Sequence, residues 1–269
     1  MATGCQSANP GAGTASPAEP PPYPQAVVVP RGAWLVATDN IEGNGSDIAA
    51  AAADAFMKIE RRLAQVGLDR TNLVSVRADL TAGDGSEFTE WDSAWKACFA
   101  TGAPPARTTV GRTGLSAKVV LGVRAALPVG VTAGSFPSAM KAPDSDLWIA
   151  GAGTEVLVFV NGEQFADAEQ IFFSGVVAPE GTAPSRQGAA VMNLLTERVT
   201  RLGARMDQVV GLQVFHTAGE RGFDDAYNNA ADNRRDPLGV GPRKHVVESL
   251  PGGRVVEVEA AVVRPVRGR

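Results

Sequence analysis

Cysteine and histidine are both scarce: the 269 residues hold two of each, Cys5 and Cys98, His216 and His245. That excludes a disulfide framework, a cysteine-based zinc cluster and a histidine-rich metal site. A basic surplus is also missing. Twenty-five Lys and Arg stand against 29 Asp and Glu, a net charge of −4, which argues against a polyanion partner. No apolar run approaches the length needed to cross a bilayer. What remains is ordinary for a globular chain, 44% apolar and 20% charged, and long enough for one large domain or two modest ones.

Residues 1–22 are rich in Ala, Gly, Ser and Pro, a composition that reads as an extended tail. Ala2-Thr3-Gly4-Cys5 looks loosely like the junction at which a bacterial lipoprotein is cut and acylated. The apolar stretch that precedes such a cut is absent. The expectation is a cytoplasmic protein without a membrane span. The alternative is an extracytoplasmic lipoprotein anchored through Cys5, if translation starts further upstream.

The chain repeats short motifs at one spacing. Thr81-Ala82-Gly83 recurs as Thr217-Ala218-Gly219, an offset of 136. Gly67 followed by Leu73-Val74 recurs as Gly203 followed by Val209-Val210, again at 136. Phe88 and Phe223, Arg107 and Arg243, Leu115 and Leu250, and Val123 and Val258 all keep 135 or 136. Matches in one order at one spacing read as a duplication. They predict a tail over 1–22, a first domain over 23–128, a Pro-, Gly- and Ser-bearing linker over 129–145 and a second domain over 146–269.

Each copy carries the same element pattern. The first begins with a strand Ala26 to Val29, a turn at Pro30-Arg31-Gly32 and a strand Trp34 to Thr38. A helix follows, capped near Asn44 or Ser46, with one apolar face of Ile48, Ala52, Ala55, Phe56, Ile59, Leu63 and Val66, and stopped by Gly67. Leu73 to Leu80 reads as a strand, 86–101 as a second helix and Thr108 to Val110 as a short strand. In the final strand Val119, Leu121, Val123, Ala125 and Leu127 share a face. In the second copy Val156 to Val160 and Gln170 to Val177 form the opening hairpin, and a helix covers 184–202. Val209 to His216 is a strand, a second helix lies near 221–234, and His245 to Val247 and Arg254 to Val263 close the copy. The order predicts an α+β fold of two tandem domains, each a mixed sheet with two helices packed on one face.

Several stretches carry a family resemblance. Pro22-Tyr23-Pro24-Gln25-Ala26-Val27, Ile171-Phe172-Phe173-Ser174-Gly175-Val176, Pro105-Ala106-Arg107-Thr108-Thr109-Val110, and Leu250-Pro251 through Val256-Glu257-Val258-Glu259-Ala260 resemble motifs of the Rid (YjgF-like) imine and enamine deaminases. The motifs are short, but their order and spacing span nearly all of 22–128 and 155–265. The resemblance implies a chorismate-mutase-like fold. It also implies assembly as a homo-oligomer, usually a trimer, with pockets in clefts between subunits. The implied activity is hydrolysis of imines such as 2-iminopropanoate to keto acid and ammonia, on a small carboxylate-bearing substrate and without a metal or organic cofactor. A ribonuclease activity sometimes attached to the family fits poorly with a net negative chain that lacks a basic aromatic groove.

The resemblance assigns roles residue by residue. Arg107 falls at the family arginine, where a planar, permanently charged donor holds the substrate carboxylate; the plain alternative is a surface arginine paired with a nearby acid. Tyr23 and Thr38 fall at pocket-lining positions, or else pack at strand ends, and Thr109, Ser174 and Gly175 join them as substrate-binding residues. Glu257 takes the place of the glutamate that manages the attacking water. The same offset sets Gly122 opposite Glu257 and Arg124 opposite Glu259, so the first copy lacks the glutamate. The second keeps Glu257 and Glu259, two apart on one strand face, unless that face is merely solvated. Its own arginine, Arg243, has one residue fewer before Leu250 than Arg107 has before Leu115, and a one-residue slip turns a side chain to the opposite face. In register, His245 would stand where the first copy has Thr109, as a core histidine or a proton-transfer group. Trp91 and Trp95, one helical turn apart, read as packing residues. The sharpest expectation is that labour is split, with Arg107 from one copy and Glu257 from the other sharing one site.

Overall fold

The computed structural model describes residues 23–130, 158–159, 168–218, 223 and 242–265. The helix expected near 221–234 apart from Phe223, the expected linker 129–145 from 131 onward, and 156, 157 and 160 of the expected strand Val156 to Val160 lie outside them. Two five-stranded mixed sheets carry the fold. The first runs in the order β4 (Ala106–Arg112), β3 (Leu73–Thr81), β5 (Val119–Ala126), β2 (Leu35–Gly43) and β6 (Val158–Phe159). The second runs in the order β9 (Arg243–Val247), β8 (Val209–Thr217), β10 (Val256–Pro265), β7 (Ala168–Val177) and β1 (Ala26–Val29). In each sheet one pair is parallel, β3 with β4 and β8 with β9, and the other pairs are antiparallel.

Helices α1 (Ile48–Ala64) and α2 (Ser86–Cys98) cover one face of the first sheet. Asp47, rather than Asn44 or Ser46, caps α1. Its backbone is extended and its carboxylate accepts from the Ala50 N–H at 2.8 Å. Asn44 instead gives its own N–H to Asp54, at 2.7 Å. Ala51, Ala52 and Ala55 let α1 lie close to the sheet, and Phe56 meets Trp91 in a stacked contact at 6.2 Å and Phe99 edge-on at 5.4 Å. Val119, Leu121, Val123 and Ala125 reach this core from β5, as their alternation predicts. Helix α3 (Pro184–Arg201) does the same for the second sheet, burying Val191, Met192, Leu195 and Val199 against Val256, Val258, Ala260 and Val262. No described helix is long and apolar enough to cross a membrane.

The uncovered faces turn toward each other. Val29, Ala33, Leu35, Ala37, Val74 and Ala106 form one buried cluster with Phe172 and Ala261 of the second half. Here the structure corrects the sequence reading. Among the described residues neither opening hairpin forms. β1 leaves its neighbour β2 and pairs antiparallel with β7, Ala26 opposite Phe173 and Val29 opposite Gln170. β6, from the second half, pairs with β2 in return. The exchange follows from burial: segment 30–34 crosses between the sheets with Ala33 buried, so Val29 and Leu35 enter the shared cluster from opposite sheets.

The exchange is testable by truncation. A chain beginning at Pro30 should lose amide-exchange protection in β7 between Gln170 and Phe173 by at least about tenfold, with β2 unchanged. Exposure of β2 instead would restore the local hairpin.

Candidate functional site

Strand β4 is paired on only one side within its own sheet. In a parallel ladder alternate residues direct their polar groups to the same neighbour. The outward N–H groups of β4 are therefore those of Arg107, Thr109 and Gly111, and all three are received by the second half. Arg107 donates to Ser174 Oγ at 2.9 Å, Thr109 to Glu257 Oε1 at 3.4 Å and Gly111 to the Ser249 carbonyl at 2.9 Å. The Gly111 carbonyl accepts in return from Glu248 at 3.0 Å, and the Glu248 carboxylate takes the Thr113 N–H and hydroxyl at 2.9 and 2.7 Å.

The Arg107 side chain turns to the helix-covered face and is 6% exposed. Its guanidinium lies 4.1 Å from the centre of the Tyr23 ring and 5.3 Å from that of Trp95. Tyr23 arrives just ahead of the exchanged strand β1, whose approach is pinned where Ser174 Oγ donates to the Pro24 carbonyl and the Ser174 N–H to Gln25. Asp92 of α2 places a carboxylate oxygen 2.6 Å from Arg107 Nη1. That contact lacks hydrogen-bond alignment at Nη1, so it is a charge contact more than a directed bond.

Glu257 is buried, not on a solvated face, and so is Glu259. Burial pushes the Glu257 carboxyl up to about 8; the Thr109 N–H and the Arg107 charge oppose that rise and Glu259 adds to it. At neutral pH this carboxyl holds its proton. Gly175 makes room for it: a Cβ there would stand 1.7 Å from Glu257 Oε1 and 2.6 Å from its carboxyl carbon. Arg107, Tyr23, Thr109, Ser174, Gly175 and Glu257 thus gather along one strand edge.

Other expected residues lie elsewhere. Thr38 is buried on the helix side, where Arg62 donates to its hydroxyl at 3.1 Å. Arg243 is exposed, and its ladder shows why. Gln213 pairs with Arg243 as Arg77 pairs with Thr108, so Arg243 occupies the place of Thr108 and Pro242 that of Arg107. The slip also sets His245 where the first half has Val110. There it stacks on Phe215 at 5.1 Å, and burial, then the charges of Arg112 and Arg77, hold its pKa below the ordinary value. The final strands need a parallel correction. Val258 pairs with Val214 and Leu121 with Ala78, which matches Glu257 with Val120 and Glu259 with Gly122. The first half still has no carboxylate there. Arg124 instead reaches across to Glu259 at 3.5 Å, its guanidinium 5.8 Å from the Phe172 ring centre.

Asp92 and the second role of Trp95 went unseen in the sequence. Trp91 and Trp95 at one-turn spacing signal packing, and Asp92 between them carries no mark of its own. Among the described residues no three His, Cys, Asp or Glu side chains gather as a metal site.

No family model matches the chain, and no curated protein matches it. Solved structures do. TdcF of E. coli, solved with bound serine, matches at 19% identity over 35% of this chain and 80% of its own, with a TM-score of 0.31. YyfA of Yersinia pestis, a Rid-family protein of unknown function, matches at 17% over 40% and 91%, with a TM-score of 0.31. A chorismatase matches at 15% over 88% of this chain and 77% of its own, with a TM-score of 0.49.

Two outcomes follow from the buried carboxyl. Its folded pKa lies above the unfolded value, so its contribution to stability is complete below about 4.5 and declines as pH rises toward about 8. Glu257→Gln should remove that decline and exceed the parent at pH 9 by about 1 kcal/mol or more in denaturant titrations. Gly175→Ala should cost about 1–3 kcal/mol, because the carboxyl must move to admit the methyl group; an unchanged denaturation midpoint would contradict the packing described.

Proposed function

We propose that the chain hydrolyses small carboxylate-bearing imines to keto acid and ammonia, through one composite site per chain that arose by division of labour after duplication. The carrying observation is that β4 bonds Ser174 through the Arg107 N–H and the protonated Glu257 through the Thr109 N–H, so that the Arg107 charge is felt at the Glu257 carboxyl. The motif resemblance around both residues supports the same reading. Arg107, clamped by two rings, presents a fixed cation to the substrate carboxylate. Glu257 gives its proton to the imine nitrogen, which makes the carbon electrophilic, and its carboxylate then takes a proton from the water that adds there. Proton transfer from the new hydroxyl to the amine lets the C–N bond break with its electron pair on nitrogen. Ammonia leaves, the keto acid forms, and Glu257 ends protonated as it began.

The second half supplies no equivalent site, because Arg243 is out of register and Val120 stands opposite Glu257. A binder of small carboxylates that performs no chemistry is the second reading. It is favoured by the contact with Asp92, which leaves Arg107 already paired with an anion.

The test is 2-iminopropanoate generated in situ, with ammonia and keto-acid release followed. Acceleration is expected, with loss of at least about a hundredfold in both Arg107→Ala and Glu257→Ala. The rate should fall as pH rises through about 8, where Glu257 loses its proton. Full turnover in either variant removes the proposal; saturable keto-acid binding without acceleration selects the binder.

A further inference from the structure

Arg107 has two possible carboxylate partners: the one a substrate would bring and the one the chain already holds out to it. We propose that Asp92 is an internal competitor for Arg107, displaced into solvent when a substrate carboxylate binds, and that it sets the affinity of the site. This rests on the reading of Arg107 as the carboxylate anchor.

The two partners differ in freedom. Arg107 is confined: its N–H is bound to Ser174, its guanidinium lies against the Tyr23 and Trp95 rings, and only 6% of it is exposed. Asp92 sits on the outward side of α2 with 46% of its side chain exposed. When the pair parts, Asp92 is the member that can move, and it moves into water, where its charge costs nothing to solvate.

Geometry makes the exchange favourable. The Asp92 oxygen sits at Nη1 without hydrogen-bond alignment, so the contact supplies charge but little direction. A small substrate carboxylate is not tethered to a helix and can turn to meet the guanidinium fork with both oxygens. A half-exposed single contact is a weak rival to such a pair. Asp92 therefore keeps the cation neutralised in the resting protein and discriminates against anions that cannot form the two-point contact.

Isothermal titration of the full chain with pyruvate is the test. Asp92→Asn and Asp92→Ala should each bind about three- to fivefold more tightly than the parent, the range of a partly exposed ion pair. Glu90→Gln, which removes an exposed charge from the same helix away from the contact, should leave affinity unchanged. Weaker or equal binding in both Asp92 variants overturns the competitor role, weaker binding marking Asp92 as a residue that positions Arg107. An equal gain in Glu90→Gln also overturns it, by showing that only long-range charge matters. Arg107→Ala separates the two layers. If it binds pyruvate like the parent, the anchor reading itself falls; if it loses binding while the Asp92 variants do not gain, only the competitor fails.

Discussion

An edge strand that ends its sheet must place its outward N–H groups somewhere, and everything at the candidate site follows from where β4 places them. Buried donors without acceptors cost about 1–3 kcal/mol each, so the row at Arg107, Thr109 and Gly111 demands a partner surface. The second half supplies three acceptors of different kinds: a hydroxyl, a carboxyl and a backbone carbonyl. Each contact is ordinary in itself. Together they fix the register of one half against the other, and so decide which side chains share the space beside Arg107.

The carboxyl of Glu257 shows what that arrangement does to a titratable group. On an open strand face it would be an ordinary ionised acid. Packed against Gly175 and the edge of β4 it loses water, and burial outweighs the combined pull of the Thr109 N–H and the Arg107 charge. The outcome is a neutral acid within the field of a cation, where two free side chains in water would simply be opposite charges. Neither half holds both groups.

Much of this was legible in the sequence, and the failures have physical causes. Alternation in Val119 to Leu127 and the threes and fours of α1 report burial of a local face, and they placed those side chains well. The one-residue deficit before Leu250 carries the slip of Arg243, because parity on a strand is a local property. A motif offset carries less information about register between strands, so Gly122 was matched to Glu257 where the ladders match Val120. The pairing of β1 with β7 left no trace, since a strand pattern names its buried face but not its neighbour. Burial of Glu259 was hidden for the same reason: its partner Arg124 lies 135 residues away.

The reciprocal exchange of β1 and β6 has a mechanical meaning. Halves joined only by a face would be free to swing apart about their connection, as hinged lobes do. Here each sheet is completed by a strand from the other half, so separation requires hydrogen-bond ladders to break along β7 and β2 at once. By the same logic the halves should melt together, in one calorimetric transition with the enthalpy of the whole chain.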